Sequence, residues 1–242
     1  MLRPIVPIGE IHRHLEGSVA IPGTGFTRRS MLTASLAVTA TGLASVTTFA
    51  IGQQSAIRPT SEQALGPFYP VRLPADQDAD LTVIAGKDGR ALGQVLYVSG
   101  RVINVRGEPV VNAELEIWQA NAAGRYSHPS DQNPAPIDPN FEGYAKIRTG
   151  PDGNYRIKTV KPGAYPAGPT STRPPHIHFD VKSGVNRLVT QMYLEGEPLN
   201  DKDQILQGAS RKEGLIARYG APSGQQEPNA LVAVWNIVLR VG

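Results

Sequence analysis

From Gln94 onward the chain is cut at short intervals by turn signals: Arg106-Gly107-Glu108-Pro109, Pro151-Asp152-Gly153-Asn154, Lys161-Pro162-Gly163 and Lys182-Ser183-Gly184. Glycine and proline in such clusters supply the backbone angles that tight turns require. Between them lie runs rich in β-branched and aromatic residues, at 95–105, 113–119, 155–160, 176–181, 188–193 and 231–241. This punctuation leaves no room for long helices. It predicts an all-β fold, an antiparallel β-sandwich with long functional loops. The loops are two intervals too long for plain turns, 120–146 (rich in Asn, Pro, Asp and Gly) and 163–175 (rich in Pro, Thr and Gly). Intervals of that length on a β scaffold are usually functional or disordered. Residues 76–93 read as mostly loop, and 203–219 as holding at most one short helical turn.

Composition narrows the function. Basic and acidic residues nearly balance, 24 against 21, and the excess lies largely in the first fifty residues. No basic stripe with interleaved aromatics is present, so nucleic acid is not an expected partner. The chain contains no cysteine, which excludes disulfides, thiolate metal sites and thiol nucleophiles. Any metal must be held by His, Tyr, Asp or Glu.

The first fifty residues read as a leader. Thr27-Arg28-Arg29-Ser30-Met31-Leu32 stands before a moderately apolar stretch of small residues ending near Ala50. A twin arginine in that setting resembles a Tat export signal, with cleavage expected after Ala50. The expected division is therefore a signal over 1–50, a polar linker over 51–64 and a catalytic domain over 65–242. The membrane would be met only during export, and the mature chain would be periplasmic or extracellular. Tat exports folded proteins, which suits a cofactor loaded beforehand. His12 and His14 belong to the leader and are set aside as ligands.

The mature chain keeps His128, His176 and His178. The last two stand in Arg173-Pro174-Pro175-His176-Ile177-His178-Phe179-Asp180-Val181, which reads as a strand. Side chains at i and i+2 share a face, so both imidazoles point one way and Ile177 and Phe179 the other. Two imidazoles on a stiff backbone make half a metal site. Tyrosinate is a hard anionic ligand suited to ferric iron. Tyr126 and Tyr165 stand in the two long loops, and two Tyr with two His would leave open positions for a substrate.

The ordered motifs then carry a resemblance. Gly66-Pro67-Phe68-Tyr69, Trp118-Gln119-Ala120-Asn121, Gly124-Arg125-Tyr126 and Asp138-Pro139-Asn140-Phe141 come first. Lys161-Pro162-Gly163-Ala164-Tyr165-Pro166, Arg173-Pro174-Pro175-His176-Ile177-His178-Phe179 and Gln191-Met192-Tyr193-Leu194-Glu195-Gly196 follow. Together they resemble the intradiol ring-cleavage dioxygenases, nearest the iron-bearing subunit of protocatechuate 3,4-dioxygenases. The resemblance implies a single non-haem Fe(III) per chain, held by Tyr126, Tyr165, His176 and His178. It implies a catechol-type substrate and O2, cleavage between the two hydroxyl-bearing carbons, and a cis,cis-muconate product. Tyr165 would be the axial phenolate that the chelating catechol displaces. Arg173 would stabilise negative charge on the reacting ring, and Gln191 would line the same pocket. The resemblance leaves the partner open between further copies of this chain and a related subunit without iron. Ala167-Gly168 stand where the family has a tryptophan.

Tyr97, Tyr144, Tyr155, Tyr193 and Tyr219 are expected to pack in the core or at its rim, with Tyr69 a candidate for the pocket border. Trp118 and Trp235 read as core, and His128 as an outer or solvated residue. A cupin is excluded because no histidine follows His178. The other alternative is an exported, non-enzymatic transthyretin-like β-sandwich or an inactive relative. Residues 100–113 resemble the opening hairpin of such modules, which would not explain the Tyr, Arg and His motifs.

Overall fold

The computed structural model describes residues 57–240 apart from Pro169 and Gln225. The expected leader, the start of the linker and Val241 of the last expected strand lie outside the described residues. The expected all-β class holds. The strands are β1 (Val95–Asn104), β2 (Glu114–Trp118), β3 (Tyr144–Arg148), β4 (Asn154–Val160), β5 (Tyr165–Pro166) and β6 (Thr172–Arg173). They continue with β7 (His176–Ser183), β8 (Asn186–Leu194), β9 (Ile216–Gly220), β10 (Leu231–Val234) and β11 (Ile237–Leu239). Helix is confined to α1 (Gln204–Gln207) and two 3-10 turns, Asn200–Lys202 and Lys212–Leu215. None among the described residues is long and apolar enough to cross a membrane.

The sheet is mixed rather than antiparallel. One path runs β11-β1-β10-β9-β8-β7-β2-β3, with β4 on the other side of β1. β1 is parallel to both β10 and β11, and β9 is parallel to β8. A parallel neighbour needs a long return connection. Between β8 and β9 that connection is the segment carrying α1 and both 3-10 turns. Turn signals mark where strands stop but not the sense in which distant strands pair, so these pairings were not foreseen.

The two edges are joined through one segment. Lys146 N donates to Gln77 O and Glu142 N to Leu81 O on the β3 side; on the β4 side Lys158 N donates to Ala79 O and Leu81 N donates to Lys158 O. Pairing both edges to a single stretch bends the sheet towards a barrel and removes two exposed edges. Residues 57–64, expected as linker, are likewise tied in. Ile57 N donates to Val105 O, Thr60 N to Val238 O and Gln63 N to Val189 O.

Alternation along the strands sets the core. Leu115 and Ile117 of β2, Ile177, Phe179 and Val181 of β7, and Leu188 and Met192 of β8 enter one large apolar cluster with Leu96, Val98, Ile157 and Trp235. Each such side chain contributes about 1.5–3 kcal/mol by leaving water. The opposite face of β7 carries His176, His178 and Asp180, each no more than 2% exposed. The final run is broken at Trp235 and Asn236, and β3 begins inside the interval expected to be loop.

Candidate metal centre

His176 and His178 lie side by side on β7, ring centroids 4.9 Å apart. β2 and β8 flank them, Trp118 opposite His178 on one side, Gln191 opposite His178 and Tyr193 opposite His176 on the other. The indole of Trp118 stacks on His178 at 4.8 Å and 12°. Trp118 is buried, as expected, but in a second cluster with Ala120, Tyr126, Tyr144 and Tyr165 rather than in the main core. Its spacing shows burial but not which face of the sheet buries it.

The two long loops bring in the phenols. Asn121 Oδ1 accepts from Ala123 N and Arg125 N, both at 2.9 Å. Asp131 Oδ2 accepts from Tyr126 N at 2.7 Å, and Asn133 Nδ2 donates to Gly124 O. These local side-chain bonds make the first loop self-supporting. The second loop holds a short ribbon in which Tyr165 of β5 pairs with Arg173 of β6. The loops meet at two glycines. A Cβ on Gly124 (φ 79°) would lie 2.1 Å from Ala164 O, and one on Gly163 would lie 2.4 Å from Gly124 N. Only glycine permits that approach.

Four donor side chains thus converge. Tyr126 and Tyr165 meet edge to face at 5.3 Å, Tyr165 lies 5.5 Å from His176, and Tyr126 lies 6.3 Å from His178. All four are at most 3% exposed. His176 Nδ1 is 2.7 Å from Pro174 O. A carbonyl can only accept, so Nδ1 carries the proton and Nε2 carries the lone pair, the tautomer of a metal ligand; here that lone pair accepts from Arg173 Nη1, a contact that a metal on Nε2 would replace. Burial, followed by the Arg173 charge, lowers His176 to about 3. Burial, then His176 and Arg173, holds His178 well below its ordinary value. Both imidazoles are therefore neutral at pH 7. Burial and then the neighbouring Tyr165 phenol push Tyr126 well up; Tyr165 is also raised by burial, against the pull of Arg173.

Whether the donors fit a metal is tested by what they lack. Tyr126 Oη and His178 Nδ1 are buried without a hydrogen bond of normal geometry. A buried polar atom left so costs about 1–3 kcal/mol. Two phenols, two neutral imidazoles and no carboxylate in direct contact fit a hard trivalent cation, whose charge would ionise both phenols. The donor set fits ferric iron.

A hydrogen-bonded group borders these donors. Arg173 Nη1 donates to His176 Nε2 at 3.1 Å, and Nη2 donates to Gln191 Oε1 at 2.9 Å and Tyr193 Oη at 2.7 Å. Gln191 Nε2 donates to Ala64 O, and Tyr193 Oη lies within reach of Gln63 Oε1. Arg173 Nε donates to Asp203 Oδ2 at 2.8 Å. Tyr193, expected to be a packing residue, is therefore part of the site, and Asp203 had no sequence signal beyond standing in a segment read as a turn. Phe68 closes one wall, 4.7 Å from Tyr126 and 5.8 Å from Tyr165. Tyr69 borders the site as expected, edge-on to Trp118 at 5.1 Å. His128 stands outside; its Nδ1 accepts from Ser130 N.

Comparison with known proteins gives this geometry a context. Residues 65–241 match the family model described as Dioxygenase. The chain is 47% identical over 169 residues to a protocatechuate 3,4-dioxygenase beta chain of Burkholderia cepacia, covering 67% of this chain and 72% of that one. It is 36% identical over 148 residues to a catechol 1,2-dioxygenase of Acinetobacter lwoffii, covering 55% of this chain and 50% of that one. Among solved structures, the dioxygenase domain of a carbohydrate-binding fusion protein from a Streptomyces species superposes with TM-score 0.59. That match is 26% identical and covers 76% of this chain and 100% of the other. A hydroxyquinol 1,2-dioxygenase of Pseudomonas putida, 24% identical, shares the fold with TM-score 0.62 over 80% of this chain and 70% of that one. With a family match that spans every one of the converging donors, this chain belongs to the intradiol ring-cleavage dioxygenase family.

Proposed function

We propose that the chain is a non-haem ferric dioxygenase that opens a catechol-type ring between its two hydroxyl-bearing carbons to give a cis,cis-muconate. The observation that carries this is the set of two phenols and two neutral imidazoles, with Tyr126 Oη and His178 Nδ1 buried and lacking a hydrogen bond of normal geometry. Tyr126, Tyr165, His176 and His178 would hold the iron. Bound ferric iron would act as a Lewis acid, drawing electron density from a chelated catecholate.

The chain's own groups account for the rest. Tyr165 would take a substrate proton on its Oη, a role suited to a phenolate that burial makes more basic despite the pull of Arg173 opposite it. The permanently charged Arg173 guanidinium faces the same point and favours negative charge on the ring. Gln191 holds Arg173 Nη2 and anchors its own amide on Ala64 O. Phe68 packs against both phenols and walls that side of the site.

The finer readings form part of the same proposal. The curved sheet is taken as a sandwich, the core of the catalytic domain expected from residue 65 onward. The chain is taken to be exported through the twin-arginine leader, and to work with copies of itself or with a related subunit, as the name of the Burkholderia beta chain suggests.

The test is iron content and the visible spectrum of the purified protein. A burgundy protein with stoichiometric iron, whose colour shifts on adding catechol without oxygen, is expected. Tyr165→Phe should change the colour and slow turnover. A colourless chain that cannot be loaded with iron would return the fold to a transthyretin-like carrier or an inactive relative.

A further inference from the structure

Arg173 spends every nitrogen of its guanidinium inside the protein, and Asp203 takes one whole edge. Nε donates to Asp203 Oδ2 at 2.8 Å and Nη2 approaches Asp203 Oδ1 at 3.3 Å, a side-on, two-point ion pair. Both residues are buried, at 8% and 4% exposure. With that edge held, Nη1 is the nitrogen left pointing at the donor cluster, 3.1 Å from His176 Nε2.

Asp203 is itself fixed from behind. It caps α1, accepting from Leu206 N at 2.7 Å through Oδ1, and Leu206 is fully buried in the main core. A rigid line therefore runs from the core through α1 and Asp203 to the guanidinium. A long arginine side chain has many rotamers, and a planar two-point contact removes most of them.

We propose that Asp203 is a positioning residue for ring cleavage, clamping one edge of Arg173 so that Nη1 faces the substrate. The inference rests on the reading of the chain as an intradiol dioxygenase. Nothing in the motifs pointed to Asp203, which lies beyond the last of them.

The experiment compares the iron-loaded full chain with Asp203→Asn. Asparagine caps a helix as well as aspartate does, so the fold is retained while the negative charge and one acceptor are lost. kcat with catechol should fall about ten- to a hundred-fold, the size expected when a group is misplaced by about 1 Å. The Kd for anaerobic catechol, read from the visible band, should change by less than about three-fold, because the loss falls on a step after binding. Crystal structures should show the Arg173 guanidinium displaced from its place beside the donor cluster in the variant alone. A wild-type kcat, an unmoved Arg173, or a kcat loss matched by an equal loss of catechol binding and of melting temperature would each overturn the proposal. Failure of the wild-type chain to bind iron or catechol would sink the dioxygenase reading, yet the Arg173 conformation in the two crystal structures would still decide the positioning claim.

Discussion

Two regions of one sheet face bury polar groups and treat them differently. Two residues along β7 from His178, Asp180 is 1% exposed, and beside it on β2 Glu116 is 4% exposed. Asp180 accepts from Arg187 Nε and Nη2, both at 2.9 Å, and is bridged by Lys182 at 3.1 Å. Glu116 accepts from Tyr69 Oη at 2.6 Å and from Lys182 at 3.1 Å. Every carboxylate there has partners from its own chain. At the other region His178 Nδ1, Tyr126 Oη, Trp118 Nε1 and Tyr144 Oη are buried without a hydrogen bond of normal geometry. Native proteins satisfy nearly all buried polar groups. The same strands that complete this accounting at one end leave it open at the other, which marks the open end as built for a group from outside.

Neighbouring residues on opposite faces of β7 put that contrast to its strongest test. His178→Ala should abolish the visible band and cut turnover by well over about a hundred-fold, since outer partners of metal ligands alone cost about 10–100-fold. Its fold should survive at 25 °C. Phe179→Ala should do the reverse, costing about 3–5 kcal/mol of unfolding free energy by opening a cavity in the main core. Iron binding should persist wherever that variant remains folded. Urea unfolding and iron content, measured on both proteins, would break the comparison if the two effects were not separable.

The contrast also explains what could be read from the sequence. His176 and His178 were legible because the two-residue period of a strand is a local property. Tyr126 and Tyr165 were legible only through ordered motifs, because the two loops that carry them are set against each other by glycine contacts between residues distant in the chain. Tyr193 looked like packing since its partner, Arg173, stands on the separate β5-β6 ribbon, twenty residues away in the chain. Asp203 gave no signal because its role depends on where α1 docks. β3 was missed although Tyr144-Ala145-Lys146-Ile147-Arg148 alternates as a strand does, because the run is only five residues long and closes a polar, proline-rich loop. β9 and the three parallel pairings depend on long connections that no local pattern encodes.

A smaller effect is expected at the satisfied end. Asp180→Asn keeps the shape and removes the charge that Arg187 and Lys182 share, both of them partly exposed. The loss should be about 1.5–3 kcal/mol, the range for hydrogen bonds to charged groups, with the iron band unchanged. A loss of iron in this variant would mean that the two regions are coupled through β7 and that the division drawn here is wrong.

The finest comparison sets two glutamates against each other. For Glu116, burial works to raise the pKa, but the bonds from Tyr69 and Lys182 outweigh it and the net shift is downward from 4.5. Glu142 borders a cavity of about 100 Å³ shared with Trp118, Tyr126 and Tyr144, and its Oε2 is buried without a partner. Burial, then Asp76 and Asp78, raises Glu142 from 4.5 to about 7. A carboxyl with a lowered folded pKa adds stability that is present above the unfolded value and lost as pH falls through the folded one. Glu116→Gln should therefore weaken the protein at pH 7, with the gap closing below about pH 4.5. A raised pKa acts in the opposite sense: its contribution is full below 4.5 and is lost as pH rises to about 7. Glu142→Gln should leave stability unchanged near pH 4.5 and raise it by about 1 kcal/mol at pH 8, a figure discounted for solvent screening of a side chain that is only half-buried. Unfolding free energies of the wild type and both variants at pH 4.5, 7 and 8 would show gaps of opposite sign and opposite pH dependence. A Glu142→Gln gap that stays flat with pH would mean that this carboxyl is as well satisfied as Glu116, and the unsatisfied region would then be confined to the phenol and imidazole donors themselves.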